Sequence, residues 1–136
     1  MTRDWLFFAA SILLAALAFI YDVPKHFGAH PWWSTQVILI GAGAALGVTL
    51  VAIWAHLERN VWAASCLIFL AAVAVTRYGK TQFAASFAED AAAGRMWYFG
   101  WIAICFSLFL VICLANRALR LHLLQTKLRI ASCHTV

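Results

Sequence analysis

The sequence predicts an all-α integral membrane protein: four transmembrane helices in an antiparallel bundle, N-in and C-in, with a basic C-terminal helical extension. Three observations predict it. The 136 residues are 65% hydrophobic and 11% charged, whereas an ordinary soluble domain is about 25% charged. The five acids (Asp4, Asp22, Glu58, Glu89 and Asp90) and the ten Lys and Arg all lie at the edges of apolar runs. Those runs also have bilayer length, since a hydrocarbon core of about 30 Å takes about 20 helical residues at about 1.5 Å each. Backbone polar groups in lipid must be satisfied within the chain, and these lengths suit helices rather than a closed barrel. A single domain, 1–136, is expected, with spans at about 5–23, 32–57, 61–78 and 96–116 and a basic tail over 117–136.

The first span follows a short charged head, Thr2-Arg3-Asp4, and runs uncharged from Trp5 to Tyr21. An alternative reading of this stretch is a secretory signal peptide, with Ala16-Leu17-Ala18 as the small-residue cleavage site. The loop that follows, 22–31, is broken by Pro24, Gly28 and Pro31. It holds His26 and His30, four apart, a spacing that on a helix would set both imidazoles on one face for a metal or haem. Gly28 between them and Pro31 after them argue against a helix there.

The second span, from Trp32 to Glu58, reads as the segment the rest is organised around. Trp32 and Trp33 stand at one interface and Trp54 at the other, where indoles anchor helices at head-group level. Its middle carries small residues, Gly41, Gly43, Ala45 and Gly47, in overlapping GxxxG-like pairs. Such a face lets two helix backbones approach closely and gain dispersion contacts, so a helix-packing face is predicted here. The short turn His56-Leu57-Glu58-Arg59-Asn60 makes spans two and three an antiparallel hairpin. His56 is a further candidate haem ligand or proton carrier.

The third span ends near Arg77-Tyr78-Gly79-Lys80, whose cationic stems can snorkel to the interface. Residues 81–94 form either a helix lying on the membrane or an extension of span three. The fourth span, from Met96 to Ala115, is 20 residues without a charge. Trp97, Tyr98 and Trp101 near its start are interfacial anchors or, alternatively, the lining of a quinone or lipid pocket. The tail beyond it mixes leucines with Arg117, Arg120, Lys127 and Arg129, a pattern suited to the inner leaflet or a partner protein. Counted over the loops, N-in topology puts six bases inside and four outside.

Some chemistries are not in the sequence. No phosphate loop, dinucleotide fingerprint, nucleophile elbow or HExxH occurs. The cysteines Cys66, Cys105, Cys113 and Cys133 form no CxxC. No ionisable side chain sits mid-span, where proton relays and ion pathways place theirs. No soluble basic domain exists to hold nucleic acid. The expectation is therefore a non-catalytic subunit or accessory protein of a larger complex in the bacterial inner membrane, with membrane lipids and other subunits, or copies of itself, as partners. The first alternative is a homo-oligomeric channel or small-solute transporter. The second is a redox membrane subunit holding haem b or a quinone, with His26, His30 and His56 as candidate ligands.

Overall fold

The computed structural model describes residues 4–133, which form five helices: α1 (Asp4–Ile20), α2 (Val23–His26), α3 (Ser34–Trp54), α4 (Glu58–Ala85) and α5 (Ala91–Cys133). No strand occurs among the described residues. Three helices are long and apolar enough to cross a membrane: Ser34–Trp54, Glu58–Ala85 and Ala91–Leu123. The first predicted span is represented by α1, a shorter apolar helix of 17 residues.

The helix ends follow from local chemistry. Asp22 adopts a left-handed conformation (φ 46°) that turns the chain out of α1, and Pro24 then sits in the first turn of α2, where its missing N–H needs no partner. The loop expected to be irregular therefore contains one helical turn. Phe87 and Ala88 take φ of 55° and 68° and end α4. Asp90 then caps α5, its Oδ1 accepting hydrogen bonds from the Ala92 and Ala93 N–H groups at 2.9 and 3.0 Å. Residues 81–85 thus extend α4, and no separate interfacial helix forms over 81–94. α4 runs past the predicted end of span three because neither Arg77 nor Lys80 breaks a helix.

Matched positions fix the directions of the helices. Gly79 meets Ala93 and Trp97, and Thr76 meets Gly100, while Glu58 meets Arg117; α4 and α5 are antiparallel over their whole common length. Trp33 meets Trp97 and Gly41 meets Cys105, so α3 and α5 run parallel in a constant register. Ser11 of α1 accepts a 3.0 Å hydrogen bond from Asn116 Nδ2 of α5. The central element is therefore α5, which packs on α4, α3 and α1, while α3 and α4 scarcely touch. This corrects two expectations: span two is not the hub, and spans two and three are a hairpin in connectivity only. α5 lies between them because its start and middle carry the close-packing positions that α4 and α3 each need.

The core is small. Val37, Ile38 and Ala45 of α3 and Leu110 of α5 are among the most buried apolar side chains, joined by Cys105 and Phe109. Cys105 and Cys113 are free thiols buried on α5, packed like small hydrophobes. Three buried hydroxyls are satisfied within their own helices. Thr49, Ser65 and Ser107 donate to the carbonyls of Ala45, Val61 and Ala103 at 2.6–2.7 Å, the arrangement a low-dielectric environment demands. Large apolar residues such as Leu39, Leu50, Leu67 and Leu70 point outward, as expected of surfaces that meet lipid rather than water.

Candidate functional site

The small residues of α3 separate into two rows. Positions two apart on a helix are about 200° apart around its axis, so Gly41 and Ala45 face nearly opposite to Gly43 and Gly47. The first row is filled from within the chain. A methyl placed on Gly41 would lie 2.6 Å from the Cys105 Cβ and 2.7 Å from the Phe106 backbone nitrogen, and Ala45 is fully buried. The second row is open: nothing approaches within 4 Å of a methyl placed on Gly43 or Gly47. Of the predicted packing face, Gly41 and Ala45 form the α3–α5 seam and Gly43 and Gly47 form a bare strip.

α5 uses the same device against α4. Gly79 lets α4 sit on the Ala93 carbonyl and the Trp97 N–H, where a methyl would fall at 2.8 and 2.7 Å. Gly100 receives the Thr76 side chain directly. These contacts were not assigned from the sequence. The spacing of Ala72, Thr76 and Gly79 along α4 was the available signal, since it puts small residues on one face.

The aromatic residues divide by location. Trp32 and Trp54 are 89% and 84% exposed, free to sit at opposite interfaces. Trp33, Trp97 and Tyr98 instead pack on one another. The Trp33 ring lies edge-on to Trp97 and Tyr98, with centroids 5.5 and 5.2 Å away, and Phe83 tilts against Trp97 at 5.8 Å. Edge-to-face pairs of this kind add about 0.5–1.5 kcal/mol each beyond buried area. The cluster ties the starts of α3 and α5 to the end of α4. Trp101 is only 8% exposed and belongs to the core. Its ring faces the protein interior and not outward as the anchor predicted for it would.

The histidines fall at opposite ends. His30 stacks on Trp33, meets Trp97 edge-on at 5.8 Å, and accepts the Trp32 N–H on Nδ1 at 3.3 Å. His26 closes α2 at the same end and is exposed. His56 occupies the α3–α4 turn with φ 55°, separated from the other two by the length of α3, about 32 Å for 21 residues. His56 therefore cannot share one iron with His26 or His30. Among the described residues no three His, Cys, Asp or Glu converge as a metal site.

Charge gathers at both ends. At the end shared by the α3–α4 turn and the α5 extension, Arg117 Nη1 lies 2.8 Å from Glu58 Oε1, an ion pair without hydrogen-bond alignment. Glu58 stands in the first turn of α4, where the helix dipole favours an anion. Arg117, predicted to face the inner leaflet or a partner, thus has a partner inside the chain. Arg120 is half-buried nearby and lines a cleft with Ser11 and Arg117. The Lys127 and Arg129 side chains lie outside the described residues. At the other end Ser34 Oγ donates to Asp22 Oδ2 at 2.8 Å, pinning the α2 loop to α3. No known family, curated protein or solved structure matches the chain.

Proposed function

We propose that this chain is a non-catalytic subunit or accessory protein of a larger complex in the bacterial inner membrane, and that it acts by packing a further transmembrane helix against α3. The supporting observation is the open Gly43/Gly47 strip. Glycine on an exposed helix position costs about 1 kcal/mol relative to alanine and offers lipid nothing in return. Two glycines four apart on one outward face are accounted for by a helix backbone that approaches too closely for any side chain. The seam between Gly41 and α5 is the same contact made within the chain.

In this reading α1 is a fourth span. Its 17 residues reach about 26 Å, at the short end of what a bilayer accepts. The N-terminus, the α3–α4 turn and the basic extension of α5 then share the cytoplasmic side, in keeping with the distribution of Lys and Arg. α5 at 43 residues would be about 65 Å long, so about half of it would project from the membrane as a basic arm.

A second reading, a homo-oligomeric channel or small-solute transporter, uses the same strip with another copy as the partner. Purification in a mild detergent separates the possibilities. A co-purifying membrane protein lost in a Gly43→Leu/Gly47→Leu variant supports the subunit reading. A particle containing several copies of this chain alone, with flux in liposomes, supports the channel. A monomer with no partner contradicts both.

A further inference from the structure

We infer that the cleft floored by α5, between α4 on one side and α1 with the α2 loop on the other, binds one acidic glycerophospholipid. The cleft has a volume of about 500 Å³. It exists because α4 packs on α5 and scarcely on the other helices, which leaves the floor of α5 uncovered on this side. Its lining changes in polarity along its length in an order that matches a glycerophospholipid.

The mouth carries Arg77 and Lys80. Both are exposed, and among the described residues neither has a carboxylate within ion-pair distance; the Arg117–Glu58 pair lies at the opposite end. Lys80 reaches across the mouth from α4 to the loop, where its Nζ would lie 2.7 Å from a methyl on Gly28. Lys25, exposed on α2, adds a third cation to this end. Asp22, the acid of this loop, accepts the Ser34 hydroxyl and forms no ion pair with these cations. Two or three uncompensated cations at a membrane interface select an anionic head group, each contributing about 1 kcal/mol.

Just inside the mouth the lining is Thr76 and Trp101. The Thr76 hydroxyl is turned into the α4–α5 seam against Gly100 and the Trp101 indole N–H is buried, so the selectivity rests on the cations at the mouth. Below them the lining is apolar, with Val73 and Phe69 on α4 facing Ile104 and Leu108 on α5. From Lys80 to Phe69 is about 16 Å along the helix, room for a stretch of acyl chain. A quinone offers no anion to the two cations.

The test is native mass spectrometry of the delipidated protein titrated with phosphatidylglycerol or with phosphatidylcholine of the same acyl chains. The expected result is one phosphatidylglycerol bound at least about tenfold more tightly than phosphatidylcholine. An Arg77→Gln/Lys80→Gln variant should lose about thirtyfold of that affinity, equivalent to about 2 kcal/mol, with helicity unchanged because both residues are exposed. Arg59→Gln, a charge removed at the other end, should bind as wild type. Val73→Trp, which fills the cleft, should weaken both lipids. Equal binding of the two lipids would overturn the assignment, as would an unaffected Arg77→Gln/Lys80→Gln variant. Displacement of phosphatidylglycerol by equimolar decylubiquinone would reassign the cleft and overturn it too.

Discussion

At the scale of single residues, the most informative contrast is between Gly41 and Gly43. Both belong to small-residue pairs of the same spacing, yet one touches α5 backbone and the other touches nothing. Gly41→Leu should destabilise the folded chain by about 1–3 kcal/mol or more, because the obstructing atoms include backbone that cannot step aside; thermal unfolding in detergent checks this. Gly43→Leu should leave the melting temperature of the isolated chain unchanged. A second pair, Ser11 and Asn116, joins α1 to α5. A double-mutant cycle with Ser11→Ala and Asn116→Ala should give a coupling of about 0.6 kcal/mol, typical of hydrogen bonds between membrane helices. The sequence shows that these glycines and polar residues are present. It cannot show which of two faces 200° apart meets a neighbour, because periodicity defines faces and not their occupants.

At the scale of elements, the apolar runs were legible because the bilayer sets their length, and α3, α4 and α5 fall where hydropathy places them. Their ends were less legible. α4 outruns its apolar segment to Ala85, and its termination depends on left-handed conformations at Phe87 and Ala88, residues with no composition signal for a turn. Asp90 is the clearer signal, a helix cap directly before a long apolar helix. Asp90→Ala should cost about 1 kcal/mol by removing the acceptor for two N–H groups, and hydrogen exchange should show the loss confined to the first turn of α5. The α4–α5 pairing depends on Gly79 in the same way that the α3 seam depends on Gly41. The aromatic cluster of Trp33, Trp97 and Tyr98 then locks the end where three helices meet. The sequence predicts Trp97 and Tyr98 as anchors or a pocket lining and Trp33 as an anchor of another helix, since spacing within one helix says nothing about rings that arrive from another.

At the scale of the whole molecule, α5 serves as a mast on which the other helices are hung. Antiparallel contact with α4 and parallel contact with α3 leave these two helices apart, and a cleft opens between α4 and α1 with the α2 loop. The sequence argued for a conventional hairpin order because short connections normally join neighbours; here the α3–α4 turn is short and the helices still diverge. If α1 spans the bilayer, topology reporters fused at either terminus or inserted in the 55–57 turn should report the cytoplasm. Reporters inserted near Gly28 or Ala88 should report the opposite side. The account's central claim is that the Gly43/Gly47 strip is completed by a helix from another chain. The most direct measurement is the mass of the particle in mild detergent, by light scattering, for wild type and for Gly43→Leu/Gly47→Leu. The account predicts a wild-type particle larger than one chain and a variant reduced to a single chain with unchanged melting temperature. A variant that assembles to the same mass as wild type would contradict it.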